Sequence, residues 1–423
     1  MGKKCLIREV HARRVFDSRG ISTIEVDVIT DNGLGRNAAP FGAPGSRGIY
    51  EAVAYGSIGL NGALNIVEKE IAPRLRGIDA ADTNLCDTIL REIDNSGNFA
   101  HIGGNTSSAI SIAIAKAAAN SLGMPLYQFL SENGPTLPYP LGNIIGGGAH
   151  STGAAPDMQE HLVIPVGALK IGTAIEANIM VHEETGKILE KADPNFTGGT
   201  DDECAWAANL NDYLALEILS EACTTVTKKK GVSFRLGLDL AADRLWDAEK
   251  KVYVYRRENT LRTTEEQIDY MEDLVNTFNL YYVEDPFHSD DFAAFTELKK
   301  RVGAHCYVCG DDLLATNKPR TEQGITSGAI NSMIIKVNQV GTITGARETN
   351  RYARSNGLDT IISHRSGETE DHTIAHLGVA WKCVGIKTGV IGGERIAKLN
   401  EFLRIEEQLG IRSVMAKPII TAV

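Results

Sequence analysis

The chain lacks any continuous apolar run approaching the ~18 residues of a membrane-crossing helix, so no membrane partner is expected. Its opening stretch, MGKKCLIREVHARR, has no apolar segment of the secretion-signal kind. Cytoplasmic residence is the expectation. Positive charge is also in short supply, with 43 Lys and Arg against 54 Asp and Glu and a formal net charge of -11. That balance favours solubility and disfavours nonspecific nucleic-acid binding, although a negative surface can still enclose a cationic pocket. Cysteines number only seven, an odd and scattered set that makes no disulfide framework and suggests reduced thiols. The single C-x-x-C, Cys306 and Cys309, lies in the strand-like run HCYVCGDD without a second pair, and it reads as structural, not as a zinc or redox site. GAPGSRG near residue 45 has no Walker lysine after its glycines and follows no clear strand-to-helix transition. No solenoid-type repeat and no low-complexity tract is present.

What is present is an ordinary globular composition, 43% hydrophobic and 23% charged, in 423 residues. Such a length suggests two domains, one of which could be a barrel of ~250 residues. Residues 5 to 40 carry alternating β-rich runs such as TIEVDVIT, broken by DNG, and AISIAIAKAAANSLGMPLYQFL predicts an Ala-rich buried helix stopped near Gly123 and Pro125. Strands followed by helices make a small α+β domain. SENGPTLPYP concentrates Gly and Pro, which places the boundary there: residues 1–132 before it and 133–423 after it.

Beyond the boundary, short apolar runs repeatedly end in a polar residue: RLGLDL at Asp239, YYVEDP at Glu284, YVCGDD at Asp311, MIIKVN at Lys336, TIISHRSG at His364 and GIKTG at Lys387. Most intervals fit one strand, one helix and two loops. Polar residues at successive strand ends are what a barrel gathers at its C-terminal face. The expected fold is therefore α/β, an (α/β)8-type barrel preceded by an α+β domain.

Converging carboxylates repel one another unless a cation lies among them, and Asp239, Glu284 and Asp311 form an all-oxygen set that suits Mg2+. Each acid could instead cap a helix or solvate a loop, but three in register with two lysines point to chemistry. Lys336 interrupts an apolar run, where an unpaired ammonium is costly. Cationic neighbours and desolvation are expected to lower its pKa, so that it can remove a proton α to a carboxylate. Arg365 and Ser366, beside His364, suit a phosphate group. His150, Glu160 and Glu203 fall in loop-like stretches and would not persuade alone. His372 and His376 have the i, i+4 spacing of a helical metal pair, yet their position at a helix start after ETEDH reads as incidental.

The sequence resembles the enolase family nearly from end to end: DSRG at 17–20, MPLY at 124–127, VEDPF at 283–287, GDDLLATN at 310–317, KVNQVGT at 336–342, SHRSGETED at 363–371 and AKLNEFLRIEEQLG at 397–410. Sites of that family use a Lys or His base with Mg2+. The resemblance implies Lys336 as base, Glu203 as the acid that helps water to leave, and Asp239, Glu284 and Asp311 as ligands of the first metal. Lys387 becomes a carboxylate partner, Arg365 and Ser366 the phosphate grip, and His150, Glu160 and His364 complete the pocket. It also implies a homodimer or an assembly of dimers.

Three loops depart from the family pattern. Phe41 in PFGAPGSRG replaces the serine that helps to hold the second metal, in a loop two residues longer; one Mg2+ site is expected and the second loses that ligand. Cys204 and Ala205 follow Glu203 in place of two glycines, and TGVIGGER after Lys387 is shortened. The leading expectation is the glycolytic interconversion of 2-phosphoglycerate and phosphoenolpyruvate. An alternative is a paralogue that forms carboxyphosphonoenolpyruvate from a three-carbon unit and activated phosphonoformate, the partner being in either case a small phosphorylated or phosphonylated carboxylic acid. A reading of another class is a noncatalytic scaffold on the same fold.

Overall fold

Small side chains let a helix be approached closely from every side, and the Ala-rich segment uses this. In the computed structural model, which describes residues 5–42, 50–131, 134–151 and 155–421, it forms the helix Gly104–Leu122, buried along nearly its whole length. Gly123 ends it in the left-handed conformation at φ 70°. On one side it packs against an antiparallel sheet of β1 (Ile7–Phe16), β2 (Ser22–Thr30) and β3 (Leu34–Ala38). The approach is so close that a Cβ at Gly35 would lie 1.9 Å from the Ala113 carbonyl oxygen. On the other side, Ser111 Oγ accepts from Ile343 N at 2.9 Å and Lys116 pairs with Asp371 at 2.5 Å, which joins this unit to the rest of the chain.

The remaining chain closes a barrel. Its strands are β4 (Tyr139–Gly146), β5 (Glu160–Ile164) and β6 (Arg235–Asp239), followed, after a small antiparallel sheet of β7 (Trp246–Asp247), β8 (Val252–Tyr255) and β9 (Thr260–Arg262), by β10 (Tyr282–Glu284), β11 (Tyr307–Gly310), β12 (Ser332–Ile335), β13 (Asp359–Ser363) and β14 (Gly385–Gly389). The inserted sheet accounts for the long interval between Asp239 and Glu284. β5 runs antiparallel to both neighbours while the other pairs are parallel. The physical reason is the connection: only residues 147–159 separate β4 from β5, and among the described residues there it has no crossover helix of the kind that a parallel neighbour needs. This refines the (α/β)8 expectation, and it has a consequence for the site. Because β5 is reversed, its first residue, Glu160, lies level with the last residue of β6, Asp239.

Apolar residues between the barrel and its helices form the largest core, and Leu141, Leu162, Tyr282, Tyr307 and Ile334 fill the opposite, N-terminal end of the barrel. The chain's tail closes that end, with Ile419 N donating to Asp359 Oδ2 at 2.7 Å. Cys306 and Cys309 fall in different clusters, so the C-x-x-C thiols face away from each other. Apart from Gly42, GAPGSRG lies outside the described residues, as do residues 132–133 at the expected boundary. Among the described residues, no helix is long and apolar enough to cross a membrane.

Candidate active site

Strand pairing alone brings three acids side by side, since Asp239 is registered with Glu160 on one side and with Glu284 on the other. Lys387, at the same end of the barrel, reaches all three: Nζ lies 2.5 Å from Asp239 Oδ2, 3.0 Å from Glu284 Oε2 and 3.1 Å from Glu160 Oε1. Every member of this group is buried. Lys336, just beyond β12, pairs with Asp311 beyond β11, whose other oxygen accepts from Gln339 Nε2 at 3.2 Å. Of the residues singled out in the sequence, His150, Glu160, Glu203, Asp239, Asp311, Lys336, His364, Arg365, Ser366 and Lys387 line one cavity. Glu284 lies beneath it, held by Tyr282 OH at 2.6 Å and by Lys387.

The second group surrounds Glu203. His364 Nε2 lies 3.3 Å and His150 Nδ1 3.6 Å from Glu203 Oε1, while Asn143 Nδ2 donates to Oε2 at 3.3 Å. Arg395 Nη1 is 2.8 Å from His364 Nδ1. A guanidinium can only donate, so His364 accepts at Nδ1 and carries its proton on Nε2, directed at Glu203. Burial lowers His364 to about 4 against the pull of Glu203, which keeps the ring neutral near pH 7. Arg395 also donates to the carbonyls of Arg365 at 2.8 Å and Ser366 at 2.6 Å, so one buried guanidinium organises the whole SHRS turn. Arg365 itself donates to Asn338 Oδ1 at 3.0 Å and lies 3.3 Å from Glu51 Oε2.

Sequence reasoning missed several of these partners. Asp285 and Asp312 stand inside motifs already quoted, next to the acids that drew notice. Asp285 takes φ 40° and accepts from Asp311 N at 3.0 Å and Asp312 N at 2.7 Å, which fixes the end of β11. Arg395 follows the shortened TGVIGGE stretch, but nothing local marks it as a partner of His364. Glu160 begins a strand and does not lie in a loop. Cys204 occupies φ 65°, the region where glycine is at ease. Asp201 holds the turn by accepting from Glu203 N at 2.8 Å and Ala205 N at 2.9 Å, so the glycine-free sequence still presents Glu203.

One expectation needs correction. Lys336 does not have a lowered pKa here: burial is the largest influence and pulls it down, as do Arg365 and Lys387, but the carboxylates around it, Asp311 foremost and Glu284 with it, carry the net direction upward. The sequence showed the cations and not the salt bridge. Phe41, expected at the position of a metal-holding serine, is not among the residues lining the cavity. Its ring stacks on Tyr55 with centroids 6.0 Å apart, and its backbone is tied to Gly367 in both directions.

The chemistry of the donor set, carboxylate oxygens only, suits a hard cation, but among the described residues Asp239, Glu284 and Asp311 do not bring their ligand oxygens within 4.8 Å of one another; Asp311 gathers in that way with Asp285 and Asp312. Glu160 Oε2 and Glu284 Oε1 are buried oxygens without a hydrogen-bond partner, an arrangement costly for an ionised carboxylate unless a cation is near. Burial and Asp239 accordingly push Glu284 up to about 8 despite Lys387, and burial holds Glu160 well above its ordinary value. Acids raised in this way bind protons that the unfolded chain has already released, so between 4.5 and about 8 the folded state loses stability as pH rises. In chelator, the thermal midpoint should therefore fall from about pH 6.5 to about pH 8, above the range from about 4 to 6.5 in which the lowered His364 acts with the opposite sign. A midpoint that is flat or rises over that window would mean that these acids are ionised without a cation.

Two family models match the chain: "Enolase, N-terminal domain" over residues 7–130 and "Enolase, C-terminal TIM barrel domain" over residues 135–419. The enolase of Methanothermobacter thermautotrophicus is 50% identical over 405 residues, covering 96% of this chain and 97% of that protein. That of Methanosphaera stadtmanae is 49% identical over 405 residues, with the same coverage. That of Archaeoglobus fulgidus is 46% identical over 403 residues, 95% of this chain and 97% of that protein.

Proposed function

The chain belongs to the enolase family, and from that premise we propose that the Lys387-centred acids and the Lys336–Asp311 pair are its catalytic centre. It is a hydro-lyase that interconverts 2-phosphoglycerate and phosphoenolpyruvate. The observation that carries the assignment of residues is the register of Glu160, Asp239 and Glu284 around one buried lysine, with orphaned carboxylate oxygens beside it.

Lys336 Nζ removes the proton from the carbon next to the substrate carboxylate. For that it must be free of its proton: burial, Arg365 and Lys387 act in that direction, and Asp311 and Glu284 act against it. Arg365 and Ser366 hold the phosphate. Glu203 is the acid for the departing hydroxyl: His364, His150 and Arg395 together outweigh burial and hold it well below the ordinary carboxylate range here, so it must first take up a proton, which it then passes to the hydroxyl as that group leaves as water. Asp239, Glu284 and Asp311 would hold Mg2+, which supplies positive charge to the substrate carboxylate as charge builds there. His150 and Glu160 close the remaining walls.

The phosphonate-forming alternative draws no support from the relatives, which are named enolase along nearly their whole length. The scaffold reading has to leave a complete set of buried charges without a task. We place the boundary between the N-terminal α+β unit and the barrel at residues 132 and 133. Cytoplasmic residence is supported by seven free cysteines, and we propose assembly as a homodimer or an assembly of dimers, as the family resemblance implies.

The decisive experiment separates proton removal from water loss. Glu203→Gln is expected to lose at least ~100-fold in phosphoenolpyruvate formation, the usual cost of deleting a general acid, while still exchanging the substrate α-proton with solvent in Mg2+. Loss of both activities in a folded, Mg2+-binding variant would remove Glu203 from the role of acid. Undiminished activity of the parent protein in excess chelator would remove the metal.

A further inference from the structure

Outside the catalytic cavity, the tertiary structure brings a third ligand to the histidine pair that the sequence left as incidental. His372 immediately precedes the helix Thr373–Ala380, and His376 is one turn along it. The helix Gly393–Leu409 packs alongside and presents Glu401 to both rings. His376 Nε2 lies 3.1 Å from Glu401 Oε1 and His372 Nε2 lies 3.7 Å from Oε2. One ligand atom from each of the three residues falls within 4.8 Å of the other two. His376 and Glu401 are buried, whereas the His372 side chain is 42% exposed.

We propose that His372, His376 and Glu401 form a second metal site, selective for a borderline dication such as Zn2+ over Mg2+. Two imidazole nitrogens and one carboxylate oxygen are a common zinc set, and the exposed side by His372 leaves the fourth position to water. Mg2+, which demands oxygen donors, is poorly served by the same atoms. The surroundings are arranged for monodentate binding: Arg404 Nη1 donates to Glu401 Oε2 at 2.7 Å and leaves Oε1 beside His376. Tyr127 stacks on His376 with an interplanar angle of 10° and fixes the plane of the ring. The nearby cation Lys116 is engaged by Asp371 at 2.5 Å. A bound ion would staple the two helices together directly after the turn that carries His364, Arg365 and Ser366.

The test titrates Zn2+ into protein already saturated with Mg2+ and counts bound zinc per chain. The parent is expected to bind one more Zn2+ than His372→Ala or Glu401→Gln, each of which should bind it at least ~10-fold more weakly. Zinc should raise the thermal midpoint of the parent more than that of either variant. Turnover of His372→Ala in Mg2+ should equal that of the parent. His376→Ala opens a buried position and can fail to fold, so the exposed His372 and the isosteric Glu401→Gln decide the matter. Equal zinc uptake by the parent and both variants would overturn the proposal, as any zinc bound would then sit elsewhere.

Discussion

Lys336→Ala is expected to abolish exchange of the 2-phosphoglycerate α-proton with solvent, with a loss of at least ~100-fold, while the far-UV spectrum and thermal midpoint stay close to those of the parent. The fold should survive because Asp311 keeps its bond from Gln339 Nε2 at 3.2 Å and can still be offset by a metal ion. Lys336→Arg makes the informative control. It preserves the positive charge next to Asp311, but a guanidinium does not give up its proton in a protein. If charge alone mattered, the arginine variant would recover activity. If proton removal matters, it stays as inactive as the alanine variant. Exchange at the parental rate in either variant would show that another group is the base.

Lys387→Met should produce the largest change in stability. Its ammonium lies within 3.1 Å of oxygens from Asp239, Glu284 and Glu160, all buried. Removing the cation leaves three carboxyl groups facing one another in a space with little water. Breaking a buried pair from one side typically costs about 3–5 kcal/mol. The measurement belongs at about pH 8, where Glu284 of the parent, at about 8 with Lys387 lowering it, carries a substantial negative charge that the variant can hold only at a cost. At about pH 5 the acids can take up protons instead, and the penalty should shrink. Mg2+ should restore part of the midpoint by supplying the missing charge, although turnover should remain low because the substrate carboxylate has lost a partner. An unchanged midpoint at pH 8 in chelator would mean that Lys387 does not balance these acids.

The sequence by itself determined much of this protein, wherever the signal was local. An apolar run closing on Asp239, Glu284, Asp311 or Lys336 marks a strand end without help from distant residues, and rows of such ends imply a barrel. Ala-rich composition and Gly123 were enough to bound a buried helix. Tertiary structure alone decided what depended on pairings across the chain. The reversal of β5 brought Glu160 level with Asp239; closure of the barrel gave Lys387 three acids, and Asp311 raised the pKa of Lys336 where its cationic neighbours alone would have lowered it. Arg395 set the tautomer of His364 from the helix Gly393–Leu409, and Glu401 reached His372 and His376 from the same helix. Periodicity records which residues face inward, but the charge state of a buried group depends on the oxygen or nitrogen a few ångströms away, and that distance is set only when the chain closes.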